Sequence, residues 1–276
     1  MMAHCQPIRL IVNSDDYGYY PSVSRGILEL AADNKISATG ILGNSPDLDH
    51  QLARLQEVPH LDVGVHLNLS HGRPLTAAMA DKLAKHNGQF PSTYMMSLMI
   101  LTGQVGVNDI RNEWRAQIEA CRGRTIRFLN SHEHIHMLPV LFALTLELAQ
   151  DYRVEHIRLT NPEWLLPIEL AGLVRNTVMQ CLTMINRLRF NVRTFPLLGI
   201  GQSGRLSLEY LASRFATLNP GWTYELMCHP GYFDATHITN RKLTSYHDWE
   251  GELRLLRSQE IQKLYQKYRI QLSHYE

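Results

Sequence analysis

Ile8-Arg9-Leu10-Ile11-Val12, closed by Asn13-Ser14-Asp15-Asp16-Tyr17-Gly18, is the stretch that decides how the chain folds. A short apolar run stopping at a polar, glycine-ended segment reads as a strand buried on both faces. Pro21-Ser22 then opens a helix with Val23, Ile27, Leu30 and Ala31 at helical spacing. The unit is therefore strand, polar loop, helix. No Gly-x-Gly-x-x-Gly follows this first strand, where a doubly wound sheet that binds a dinucleotide would carry it.

The unit repeats along the chain. Ser37 to Leu42 reads as a second strand closed by Gly43-Asn44-Ser45-Pro46, and Leu61 to Leu67 as a third. From His71 to about Val107, Gly72, Pro74, Gly88, Pro91 and Gly103 break the pattern into short pieces. This predicts a long insertion, 71–107, capping one end of the domain. Asn108 is expected to cap a helix carrying Ile110, Trp114, Ile118 and Cys121 on its apolar stripe. Five more strands are expected, at Ile126 to Ser131, His156 to Leu159, Arg193 to Leu198, Thr223 to Cys228 and Ile270 to Leu272. Pro139 suits the first turn of the helix after the fourth strand, and Ser207 the cap of the helix before the seventh. Helices over 161–191, a stretch that includes Pro167, and one long helix from Asp248 to Lys267 complete the pattern. About eight alternations of strand and helix predict an α/β fold, a distorted parallel (β/α) TIM-like barrel, with 1–276 as one domain.

Composition narrows the class of partner. Hydrophobic residues make up 45% and charged residues 19%, which are globular values. Lys+Arg 27 against Asp+Glu 26 leaves a net charge of +1, so neither nucleic acid nor a membrane surface is an expected partner. Cys5, Cys121, Cys181 and Cys228 are scattered without a CxxC pair, as free thiols in a reducing compartment would be. The first residues lack a leader pattern and no apolar run is long enough to span a bilayer, so the cytoplasm is the expected location.

In a parallel barrel the reacting groups gather at the carboxyl ends of the strands. Those ends supply Asp15 and Asp16, Asn44, His66, His132 with its neighbours, Arg158, and His229. Two carboxylates and several imidazoles at converging positions point to a catalytic metal site, because one carboxylate and two imidazoles leave coordination positions open for water and substrate. Within Asn130-Ser131-His132-Glu133-His134-Ile135-His136-Met137-Leu138-Pro139, an extended backbone would set His132, His134 and His136 on one face. Alternating histidines also line polar grooves or face solvent, so this stretch decides nothing alone. Asp15 and Asp16, being adjacent, would point to opposite sides of an extended strand. One is read as a metal ligand and the other as a carboxylate that takes a proton from activated water.

Four segments in order resemble the motifs of the YdjC-like carbohydrate deacetylases, a family that includes the chitooligosaccharide deacetylases. They are Val12 to Gly18, Val63-Gly64-Val65-His66-Leu67-Asn68-Leu69, Asn130 to Pro139, and Glu225-Leu226-Met227-Cys228-His229-Pro230-Gly231-Tyr232. The likeness extends through Gly72-Arg73-Pro74-Leu75 to the closing Leu272-Ser273-His274-Tyr275. It implies a divalent metal, Mg²⁺ or Zn²⁺, held by Asp16, His66 and His132, and removal of an N-acetyl group from an amino sugar with Asp15 as base. It also leaves a homodimer as the assembly to look for. Asn130 stands where the family usually has Asp, and Tyr17 where it has Phe.

From the chemistry such a site needs, His229 is the expected acid for the leaving amine, against orienting Asp15 or capping its strand. Asn44, His134, His136 and Arg158 are expected at the substrate, with the last three also suited to supporting hydrogen bonds or an ion pair. Tyr94, Met95, Met96 and Met99 in the insertion suit a sugar platform or plain core. Two other functions compete: a metal-dependent phosphoesterase, which would want more basic residues around the ion, and a noncatalytic sugar-binding protein of the same fold.

Overall fold

A computed structural model describes residues 6–164 and 170–276. Pro167, Cys5 and the rest of the first five residues lie outside the described residues, as does what was expected of them. The strands are β1 (Ile8–Tyr17), β2 (Ala38–Ile41), β3 (Asp62–Leu67), β4 (Ile126–Ser131), β5 (His156–Ile157), β6 (Leu197–Leu198), β7 (Thr223–Cys228) and β8 (Ile270–Leu272). The helices are α1 (Pro21–Ala32), α2 (Leu48–Leu55), α3 (Ala77–Lys82), α4 (Thr93–Leu101), α5 (Val107–Ala120) and α6 (Pro139–Tyr152). Five more follow: α7 (Leu170–Arg189), α8 (Leu208–Phe215), α9 (Arg241–Tyr246), α10 (Trp249–Arg257) and α11 (Gln259–Tyr268).

All pairings are parallel, in the order β5-β4-β3-β2-β1-β7-β6, with β8 also on β1. This is a curled TIM-like half-barrel: among the described residues, β5 and β6 do not pair to close the ring. Both are two residues long, shorter than their apolar runs suggested. β1 is longer than expected and organises the sheet, pairing with β8 at Ile8–Leu10, with β7 over Arg9–Ser14, and with β2 from Asn13 onward.

Inside the curl, Ile11, Ala38, Phe128 and Tyr275 form a small apolar plug beneath the site. The rings of Phe128 and Tyr275 stack with centroids 4.4 Å apart. Gly64 on the neighbouring strand makes room for this, since a Cβ there would lie 2.5 Å from the Phe128 ring. The C-terminal tail thus folds inward, held by the Tyr275 amide donating to Asp62 Oδ2 at 2.7 Å.

Outside, helices bury the stripes their spacing foretold. On α5 these are Ile110, Trp114 and Ile118. Each isoleucine burial contributes about 1.5–3 kcal/mol. Two helix details differ from expectation. The cap of α5 is Gly106, whose amide donates to Asp109 Oδ2 at 2.9 Å, so Asn108 lies inside the first turn. The long helix expected from Asp248 to Lys267 is two, because Ser258 takes an extended conformation and its Oγ caps α11 by accepting from the Ile261 amide.

Segment 71–107 carries α3 and α4 and is tied to the barrel by Glu113. This fully buried carboxylate on α5 accepts from the Leu75 and Thr76 amides and the Thr76 hydroxyl. Met96 and Met99 of α4 are core, while Tyr94 and Met95 are exposed.

Candidate metal and catalytic site

The pairing of β1 with β2 is irregular between Ser14 and Tyr17, and Asp16 sits there at φ 69°. A regular strand would send Asp15 and Asp16 to opposite faces. The irregularity with a left-handed residue re-aims the backbone, so both carboxylates are buried among the strand ends. The cost of that conformation, about 1–3 kcal/mol for a residue other than glycine, is what brings the pair together.

Asp16 meets two imidazoles. Its Oδ1 is 2.8 Å from His132 Nδ1 and 3.3 Å from His66 Nε2. Ligand atoms of Asp16, His66 and His132 all lie within 4.8 Å of one another, and all three side chains are buried. This donor set fits a divalent cation: one carboxylate oxygen and two ring nitrogens converge from three strand ends, and among the described residues no Lys or Arg is hydrogen-bonded or ion-paired to them. Burial alone would lower the His132 pKa, but the adjacent Asp16 carboxylate outweighs it and raises it to about 9. Asp16, despite its own burial, is held well below the usual carboxylate range by His132 and His66.

Asp15 belongs to a second, charged cluster. Arg158 donates to both of its oxygens, at 2.5 and 2.9 Å, and to Glu225 Oε1 at 2.6 and 2.8 Å. Burial would push the Asp15 carboxyl up, yet Arg158 holds it below its ordinary value, with His66 and His229 adding to the effect. Below Glu225, Asn13 donates to it at 3.0 Å and to the Tyr275 hydroxyl at 3.1 Å. A polar column therefore runs from the C-terminal tail through Asn13, Glu225 and Arg158 to Asp15. Asn130 joins the two clusters, with its Oδ1 2.7 Å from His66 Nδ1 and its Nδ2 donating to Asp15 Oδ1 at 3.0 Å.

The triple histidine is not extended. After Ser131 the chain coils into a tight turn, with Glu133 at φ 51° and His134 at φ 56°, so the three rings share no face. His136 is fully buried, with its Nε2 donating to the Arg158 carbonyl at 2.9 Å and its Nδ1 facing the Ser131 hydroxyl at 2.5 Å. Burial lowers its pKa to about 4, which keeps the ring neutral. It locks the end of β4 to the chain after β5. His134 is half-buried, 3.3 Å from the Thr160 hydroxyl, and burial followed by Arg158 holds its pKa well below the usual value.

Arg158, only 2% exposed, is engaged by Asp15 and Glu225. Asn44 donates to the His71 and Arg73 carbonyls, both at 3.0 Å, and accepts from Asn68, so it pins the chain leaving β3. His229 ends β7 with its ring Nδ1 buried and without a hydrogen-bond partner among the described residues. Its backbone amide donates to Glu252 at 2.5 Å, and its ring lies 5.1 Å from that of His247.

Several neighbours escaped sequence reasoning. Glu225 and Asn13 are polar positions inside apolar strands, which was the available signal. Tyr19 and His71 pack their rings 4.2 Å apart beside His132; nothing in the local pattern marks them.

The family model described as YdjC-like protein matches residues 9–267. A Geobacillus stearothermophilus protein named carbohydrate deacetylase is 30% identical over 83% of this chain and 81% of its own. A Yersinia pestis protein named chitooligosaccharide deacetylase is 30% identical over 84% of this chain and 85% of its own. Among solved structures, an Enterococcus faecalis V583 protein, assigned provisionally to cellobiose-phosphate cleavage, shares the fold with TM-score 0.72, 24% identity and 98% coverage of both chains. By its sequence from β1 to α11, this chain belongs to the YdjC-like family.

Proposed function

We propose that this protein is a metal-dependent carbohydrate deacetylase, hydrolysing the N-acetyl group of an amino sugar or short chitooligosaccharide. The observation that carries the reading is the buried Asp16, His66 and His132 triad with a separate ionised carboxylate, Asp15, bound to the same network. A divalent cation, when bound, supplies Lewis acidity to the acyl oxygen and to water, which lets a weak base suffice. Two ring nitrogens and one oxygen suit Zn²⁺ better than Mg²⁺, whose habitual ligands are oxygens.

The remaining work falls to this chain's own side chains. Arg158 keeps Asp15 ionised, the form needed to accept a proton from attacking water, and fixes its orientation through two hydrogen bonds. His229, near enough to Asp15 to influence its carboxyl and with its ring Nδ1 not hydrogen-bonded among the described residues, is assigned to protonating the departing amine. Asn44, His136 and Arg158 are assigned to holding the loops and charges around the site, since their side-chain polar atoms already have protein partners, while His134, half-buried with its Nδ1 facing the Thr160 hydroxyl, is assigned to the substrate.

No helix among the described residues is long and apolar enough to cross a membrane. With Cys121, Cys181 and Cys228 free, a reducing cytoplasm is the compartment we infer. A homodimer is the inferred assembly, read by light scattering.

Acetate release from a panel of N-acetylated mono- and oligosaccharides, with and without chelator, tests the reading. Metal-dependent release supports it. Phosphate release from sugar phosphates without acetate release would replace it with a phosphoesterase, and sugar binding without either product would make the protein a binding module.

A further inference from the structure

We propose that Asn130 is a two-way positioning residue, whose amide presents His66 to the metal with its oxygen and holds the base Asp15 with its nitrogen. The inference rests on the metal-dependent reading above and adds to it the group that joins ligand to base.

The argument begins with what each atom is able to do. Asp15 is ionised and bound on both oxygens by Arg158, so its carboxylate only accepts hydrogen bonds. The Asn130 atom 3.0 Å from Asp15 Oδ1 must then be the amide nitrogen. This leaves the amide oxygen facing His66 Nδ1 at 2.7 Å, and an amide oxygen also only accepts. His66 Nδ1 must therefore carry hydrogen, and in the neutral ring the lone pair belongs to Nε2. Nε2 is the atom that points toward Asp16, at 3.3 Å. The charge on Asp15 thus fixes, through one amide, which nitrogen of His66 is available as a ligand.

The fold is built to permit the bridge. His66 and Asn130 are direct partners in the pairing of β3 with β4, so they share a face of the sheet. Gly40 on β2 lies beneath them, and a Cβ there would stand 3.3 Å from both Asn130 Oδ1 and His66 Cβ. Asn130 is fully buried, and both polar atoms of its side chain are engaged. An aspartate at this position keeps the acceptor for His66 but sets a second carboxylate against Asp15. An alanine keeps neither bond.

The test compares Asn130→Ala and Asn130→Asp in the full chain by Zn²⁺ affinity, measured in competition with a chromophoric chelator, and by thermal melting. Asn130→Ala should weaken Zn²⁺ binding about 10–100-fold. Asn130→Asp should keep wild-type affinity or exceed it, yet melt roughly 5 °C lower, whereas in an Asp15→Asn chain, already destabilised by loss of the Arg158 pair, the same substitution should cost no further melting temperature. Alanine affinity within twofold of wild type overturns the ligand half of the bridge. An aspartate variant that melts like wild type, or that loses as much melting temperature in the Asp15→Asn chain as in the wild type, overturns the other half. If Asn130→Asp yields no folded protein, a double variant as stable as Asp15→Asn alone supports this half, and a double variant less stable than Asp15→Asn alone overturns it. Wild-type protein that fails to bind Zn²⁺ would instead sink the metal reading on which the bridge depends.

Discussion

Arg158→Met should be among the most damaging single substitutions in this chain. The guanidinium makes four short hydrogen bonds to Asp15 and Glu225, and all three side chains are almost completely buried. Methionine fills comparable volume, so the loss is electrostatic rather than a cavity. Asp15 then retains Asn130 and Glu225 retains Asn13, one amide donor each, against the desolvation of two carboxylates. Breaking a buried pair by removing one partner costs about 3–5 kcal/mol. For a chain of this size that corresponds to a drop in melting temperature of roughly 6–20 °C. The pH dependence has a definite sign. In the wild type the Asp15 carboxyl is held below its ordinary value, so its contribution is present above the unfolded value of about 3.9 and lost only as pH falls through the lower folded value. In the variant, burial acts without Arg158 and pushes the carboxyl up, so protonation relieves the penalty as pH falls from 8 toward 5. Urea unfolding at both pH values should show a larger deficit at pH 8, and Glu225→Gln in the same chain should recover part of it. A deficit below about 1 kcal/mol, or one equal at both pH values, would refute the account of this cluster.

Three further outcomes are expected. His66→Ala and His132→Ala should each lose stoichiometric metal in direct metal analysis, and full occupancy in either would remove that residue from the ligand set. Because the His132 pKa is raised to about 9, the His132–Asp16 pair stabilises the metal-free protein fully below about 6.5, and that contribution fades as pH rises through 9. Metal uptake at pH 7.5 should therefore release a proton, detectable by calorimetry in buffers of differing ionisation enthalpy; no buffer dependence would contradict it. His229→Ala should slow N-acetyl cleavage by about 10²–10⁴-fold, and slow an ester with a better leaving group much less. Equal slowing would argue against an acid role.

Much of the fold was legible because parallel strands buried on both faces read as apolar runs, and because Pro139 and Ser207 start helices through local geometry alone. β5 and β6 were overestimated since pairing, not hydrophobicity, sets strand length, and few partners remain where the curl stops. The split at Ser258 was hidden because Trp249 to Tyr268 keeps helical periodicity across the break. Strand ends brought Asp16, His66 and His132 onto one list without revealing that a left-handed Asp16 lets two adjacent carboxylates share a site. Local alternation misled at His132, His134 and His136, because the chain leaves the sheet after Ser131 and β periodicity stops with it. The Arg158, Glu225 and Asn13 column depends on residues far apart in sequence, so only the folded chain discloses it.

The central claim is that Asp16, His66 and His132 hold the metal while Asp15 handles the proton. It is tested most directly by measuring metal content and acetate release on the same preparation of Asp15→Asn. The account predicts one metal per chain, as in wild type, with acetate release from the best N-acetylated sugar reduced by about 10²–10⁴-fold. Loss of the metal would exchange the roles of the two aspartates, and undiminished turnover with the metal in place would contradict the account outright.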